Sequence, residues 1–156
     1  MSVAAKLKEC LDDNKVNYDV LTHAQVYTAQ DVAAAMHVSG NELAKSVVVK
    51  ADDRFVLAVL PAPRKVDEER FGKLIGAKEV EMANESEFAS LFPGCELGAM
   101  PPFGNLYGVD VYVDRSLTAD EEIVFNAGNH VEAIRMKYKD FERLVSPKVG
   151  DFAATS

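Results

Sequence analysis

Two stretches of β-branched and apolar side chains, Ser46-Val-Val-Val49 and Phe55-Val-Leu-Ala-Val-Leu60, stand on either side of Ala51-Asp-Asp-Arg54. Short runs of this composition are strands, and an Asp-rich connection of this length tolerates the backbone conformations that reverse a chain. The pair predicts a β-hairpin buried on at least one face. The other elements are read around it.

Ahead of the hairpin, Val3, Ala4, Leu7, Cys10 and Leu11 recur at helical spacing with Lys6, Lys8, Asp12 and Asp13 opposite them, which predicts a helix ending near Asn14. Residues 16–21 alternate as a half-buried strand does. Thr28-Ala-Gln-Asp31 offers a start for a helix through Met36, and Ser39-Gly-Asn-Glu42 repeats the signal for a short turn. After the hairpin, Asp67 caps a helix that Gly76 ends, residues 79–82 form a short strand, and Asn84-Glu-Ser-Glu87 opens a helix carrying Phe88, Leu91 and Phe92. Val109, Val111 and Val113 alternate with Asp110, Tyr112 and Asp114 in a clear period-2 strand. Strands over 122–126 and 131–136 and a helix over 138–145 complete the set. Without repeats, low-complexity stretches or linkers, residues 1–156 read as one α+β domain with a core of about 3–149. Its sheet is expected to be mixed and largely antiparallel, flanked by helices.

Charge narrows the partners. Seventeen Lys and Arg against 25 Asp and Glu leave a formal charge of −8, which argues against indiscriminate coating of nucleic acid, because that binding draws on many cation–phosphate contacts. A local basic face stays open: Arg135, Lys137, Lys139, Arg143 and Lys148 gather near the C-terminus, with Arg64 and Lys65 elsewhere. No segment approaches the roughly 18 apolar residues of a membrane span. The N-terminus lacks the basic-then-apolar pattern of a secretory signal, so a cytoplasmic location is expected. Cys10 and Cys95 form no C-x-x-C pair and are expected to stay thiols there.

Several reaction classes drop out. The chain has no G-x-x-x-x-G-K-[ST], G-x-G-x-x-G, G-x-S-x-G or H-E-x-x-H. His23, His37 and His130 are scattered without ligand spacing, so no metal is expected. Cys95 has no basic neighbour to activate it as a nucleophile.

Three stations remain, each with an ordinary structural explanation. Lys45 stands at the entry to a strand, where a long cation can point into a cleft or simply into solvent. The loop Gly98-Ala-Met-Pro-Pro102 is shaped by glycine and proline and can present backbone N–H groups to an oxyanion, or serve as a tight connection. Asn126-Ala-Gly-Asn129-His130 offers an Asn or His to a ligand, or is a hairpin turn. Tyr27 and Thr28, with His23, precede the second helix, where a cap and a packed aromatic account for them equally well.

In this order, N-E-L-A-Lys45-S-V-V-V-K, L-Gly98-A-M-P-Pro102-F-G and V-Y-V-D-R-S…E-E-I-V-F-N-A-G-N-H resemble the YbaK / prolyl-tRNA synthetase-associated domain family over nearly the whole chain. The resemblance implies a partly barrel-like α+β fold and hydrolysis of the ester of wrongly charged tRNA, of the tRNA-Pro type, with a small amino acid such as Ala, Cys or Ser. It implies catalytic roles for Lys45, Gly98 and Pro102. Tyr27, Ser46, Ala99, Met100, Asn126 and His130 would bind substrate. Aminoacyl-tRNA is the implied partner, with a synthetase such as prolyl-tRNA synthetase alongside, and no cofactor, membrane or DNA. Ser46 stands where some alanine-specific relatives have Asn, and the cysteinyl-specific branch tends to Thr and a G-G-x-S-P loop.

The chemistry is compatible with the residues. An aminoacyl ester is already activated, so its hydrolysis needs a positioned water and a stabilised oxyanion rather than a covalent nucleophile. The family's proposed water activator is the substrate's own ribose 2′-OH. The alternative is a non-catalytic module binding an amino acid or nucleotide in the same cleft.

Overall fold

The computed structural model describes residues 4–22, 43–96 and 98–155. Helix α1 (Ala5–Asp13) buries Leu7 and Leu11, and strand β1 (Tyr18–Thr22) follows. Strands β2 (Ala44–Ala51) and β3 (Arg54–Pro61) form the expected hairpin, paired antiparallel from Ala44↔Pro61 to Ala51↔Arg54. Asp52 in the turn adopts φ 54°, a left-handed conformation that Asp tolerates better than most residues. Its carboxylate also accepts the N–H groups of Lys78 and Glu79 at 3.1 and 2.9 Å, fixing the approach to β5 (Val80–Met82).

The hairpin is buried on both faces. Leu57 and Val59 face the larger core with Phe103, Phe125 and Phe141, while Val56, Ala58 and Leu60 face a second core with Phe71, Tyr112 and Phe152. Two covered faces explain why the β3 sequence is continuously apolar. Three-residue β4 (Arg64–Val66) leads to helix α2 (Glu68–Ile75), where Asp67 accepts the Arg70 N–H at 3.0 Å as the capping signal requires. Asn84 and Glu87 form the reciprocal capping box of helix α3, but α3 spans only Glu85–Phe88. The stretch expected to continue it turns instead, Leu91 N–H bonding Phe88 O.

Strand β6 (Val111–Asp114) forms within the alternating stretch, and all four of its residues are buried. It lies between β3 and β9 (Lys148–Gly150), parallel to both, in a five-stranded sheet of order β5-β2-β3-β6-β9. Tyr112 therefore packs edge-on to Phe71 at 5.4 Å. Asp114 accepts the N–H groups of Phe152 and Ala153 at 3.0 and 2.9 Å, and the Ser116 N–H and hydroxyl, which anchors the last strand, β10 (Ala153–Thr155). Strand β10 pairs antiparallel with β4.

Strands β7 (Glu122–Asn126) and β8 (Glu132–Lys137) with β1 make a three-stranded antiparallel sheet of order β1-β8-β7. Helix α4 (Tyr138–Val145) packs Tyr138, Phe141 and Val145 into the larger core. A parallel bridge, Leu43↔Val124, joins the two larger sheets. Among the described residues no helix is long and apolar enough to cross a membrane.

Candidate active site

The Leu43↔Val124 bridge determines which side chains meet. Paired residues of a ladder point to the same face, and the face repeats every second residue. Lys45 and Asn126 each lie two residues beyond the bridge, so each projects from the same face of its own strand as its bridge residue. Across β7 and β8 the register adds Ala133 opposite Asn126, and Arg135 opposite Val124. Asn126 and Ala133 form one row, and Leu43, Val124 and Arg135 the next.

Lys45 is half-buried, opposite Leu60 on β3, and no carboxylate among the described residues pairs with it. Burial holds its pKa below the ordinary lysine value, because desolvation disfavours the ammonium. The Asn126 Oδ1 is buried with no hydrogen-bond donor among the described residues. An acceptor left in this state is costly unless a ligand supplies the donor.

Ser46 is placed differently. It lies opposite Val59, on the face of β2 turned to the larger core, away from Lys45, and its buried Oγ also has no described partner. Tyr27, Thr28, His23 and His37, and the helix expected over 28–36, lie outside the described residues.

The loop after Glu96 begins as a turn closed by Ala99 N–H to Glu96 O at 3.1 Å, with Gly98 at φ +82°. That conformation at the third position of a turn favours glycine. Gly98 is exposed, and its N–H rests on the Met100 Sδ at 3.2 Å. Ala99, Met100 and Pro102 are buried, and Met100 belongs to the larger core. Pro102 has no N–H to give, so it shapes the loop rather than donating to a substrate.

This turn is laced to the segment after β7. Glu96 N–H donates to Gly128 O at 2.8 Å, and Gly128 N–H donates to Ala99 O at 2.9 Å. The Glu96 carboxylate accepts the His130 N–H at 3.1 Å. Inside the segment, the fully buried Asn129 Oδ1 accepts Val131 and Glu132 N–H at 2.9 and 2.8 Å. The Gly98 turn and the segment carrying His130 are thus held together by backbone and side-chain bonds. Glu96 is the residue here that the sequence does not single out, because its place depends on bonds across the loops.

Burial keeps both thiols in the neutral form. Burial raises the pKa of the Cys95 thiol, which lies 3.3 Å from the Tyr107 hydroxyl, and burial raises that of Cys10 as well.

Comparison with known proteins follows the same lines. The chain is 28% identical over 156 residues to the multifunctional Ser/Thr-tRNA deacylase ProXp-y of Escherichia coli (strain K12), covering 97% of this chain and 93% of that protein. It is 35% identical over 107 residues to proline–tRNA ligase of Bacillus subtilis (strain 168), spanning 67% of this chain but 19% of the ligase. Its fold matches a crystal structure of a candidate trans-editing enzyme for prolyl tRNA synthetase, at TM-score 0.82 and 21% identity over 97% of this chain and 96% of the other. A crystal structure of a hypothetical protein matches at TM-score 0.86 and 20% identity over 96% and 99%. Residues 23–144 match the model of the aminoacyl-tRNA editing domain, well over half of the chain, and the protein belongs to that family.

Proposed function

We propose that this protein hydrolyses the ester joining a wrongly attached amino acid to the 3′ end of a tRNA. The observation that carries the reading is the Leu43↔Val124 bridge, which brings together the strands that bear Lys45 and Asn126, in a chain of the editing family. A deacylase needs a cation for the phosphate or ester, an acceptor for the substrate's amino group and donors for the developing oxyanion. Lys45 supplies the first and Asn126 Oδ1 the second.

Gly98 N–H supplies a donor. Its present acceptor is a thioether sulfur, a weak one, so exchange for a negatively charged oxygen strengthens the bond. Water is the nucleophile, activated by the ribose 2′-OH of the substrate. Ala99 and Met100 support the turn, Pro102 fixes its shape, and His130 walls the acyl pocket. Ser46 acts from behind Lys45, and Tyr27 contributes to substrate binding. Arg135, in the neighbouring row, binds a phosphate of the acceptor end. Arg143 is held by Asp140 at 3.5 Å, and Lys148 lies over the Tyr112 ring at 5.6 Å.

The substrates are small amino acids, Ala, Cys, Ser or Thr, on tRNA of the proline type. The name of the E. coli relative supports the last two. The protein acts in trans as one domain in the cytoplasm, beside prolyl-tRNA synthetase. The test is ester loss from a panel of tRNAs charged with each of these amino acids. Failure across the whole panel, with amino acid or nucleotide binding in the cleft, establishes the non-catalytic binding module instead.

A further inference from the structure

The segment that carries His130 is tied to the Gly98 turn by a carboxylate to which motif reading assigns no role. Glu96 bonds at three points: its N–H to Gly128 O at 2.8 Å, its carbonyl to Ala99 N–H at 3.1 Å, and its Oε1 to His130 N–H at 3.1 Å. The first, with Gly128 N–H to Ala99 O, makes a backbone pair across the loops that ends at Gly128, and the second closes the turn itself. Gly128 sits at φ +100°, a conformation close to glycine's own, so the chain beyond it has a ready joint. His130 is two residues past that joint. The third bond, from the side chain, reaches across it.

We infer that Glu96 is a positioning residue: its carboxylate sets the separation between the Gly98 turn and His130, the two walls that hold the acyl group. The inference rests on the deacylase reading of the site. The spacing it controls is narrow, since a methyl added at Gly98 would lie 3.6 Å from His130 Cε1. An ionised carboxylate is a strong acceptor for an N–H. A neutral glutamine keeps an oxygen at the same reach and can accept the same bond, whereas alanine removes it. Aspartate keeps the charge but shortens the reach by one methylene.

The experiment measures kcat and KM for Glu96→Ala, Glu96→Gln and Glu96→Asp on the mischarged tRNA that the wild type hydrolyses fastest, with Lys45→Ala as the site control. A displaced wall costs catalysis on the order of 10–100-fold for a shift near 1 Å. Glu96→Ala should show that loss in kcat with KM little changed, Glu96→Gln should turn over near the wild-type rate, and Glu96→Asp should fall between. The His130 amide resonance should move in the alanine variant and stay in place in the glutamine variant. If the alanine variant fails to fold, the contrast between Gln and Asp decides the same question. Wild-type turnover in Glu96→Ala, with Lys45→Ala inactive, overturns the positioning role and leaves the deacylase reading standing. Equal losses in Gln and Ala also overturn it, because they assign the effect to charge. Undiminished turnover in Lys45→Ala overturns the site and the inference together.

Discussion

Gly98 and His130 oppose one another across the gap between two loops: a methyl on Gly98 would meet His130 Cε1 at 3.6 Å, while the Gly98 backbone sits at φ +82°. The contact is an ordinary one, so a side chain at Gly98 is penalised by its backbone rather than by a clash. Forcing a β-branched residue into that region costs on the order of 1–3 kcal/mol. Relief of that strain rotates the Gly98 N–H away from the oxyanion position, and loss of one such donor lowers kcat by roughly 10²–10³. Gly98→Val should therefore show a modest fall in Tm and a large fall in single-turnover rate, both measured on one sample. A large melting drop with normal turnover by the folded fraction would make Gly98 a structural hinge only.

Water as the nucleophile makes the thiols dispensable. Burial raises both cysteine pKa values, which keeps them protonated and unreactive at neutral pH. Cys10→Ser and Cys95→Ser should each retain deacylation near wild type. A thioester trapped on Cys95, with turnover lost in folded Cys95→Ser, would overturn the mechanism.

Asp114 gives an acid-stability prediction. Burial by itself raises its pKa, but the Ser116 hydroxyl and the N–H groups of Phe152, Ala153 and Ser116 together bring it below the ordinary carboxylate value. A depressed carboxylate pKa contributes stability above the unfolded value, near 3.9, and that contribution is lost as pH falls through the folded value. Asp114→Asn should melt lower than wild type at pH 7, and the gap should narrow in melts taken progressively below about pH 4. A constant gap down to pH 2 would remove Asp114 from the acid transition.

Lys45 has the opposite sign. Its lowered pKa means that the unfolded chain binds more protons between the folded and unfolded values, so its burial costs stability at neutral pH. That cost disappears as pH rises through the folded value toward the unfolded one, near 10.4. Lys45→Met should melt higher than wild type at pH 7, with the difference shrinking toward pH 10, while activity is lost. A lower Tm at pH 7 would mean that Lys45 stabilises the fold.

Much of this architecture is legible in local sequence. The β2–β3 hairpin, the Asp67 and Asn84 caps and the Pro-Gly loop each follow from neighbouring residues whose preferences agree. What escapes is non-local. The alternation of Val109 to Asp114 marks a strand but not its partners: β6 runs between two parallel neighbours and both its faces are covered. Strands β4, β9 and β10 are three residues each and too short for a period to register. The site divides the same way. Lys45, Gly98, Asn126 and His130 stand out by type and motif, whereas the meeting of the strands that bear Lys45 and Asn126 depends on a single bridge between sheets, and Ser46 falls on the opposite face of β2 because side chains alternate along a strand.

The central claim is that Lys45 serves an ester-hydrolysing site, and the most direct measurement compares wild type with Lys45→Ala on tRNAs mischarged with Ala, Cys, Ser and Thr. At least one of these esters should be lost well above its spontaneous rate with wild type. That loss should fall by at least about 10²-fold in Lys45→Ala, the scale of a removed electrostatic contact in a transition state, with the variant's melting transition still cooperative. Equal turnover by the two proteins, or no turnover by wild type on any of the four, would contradict the account.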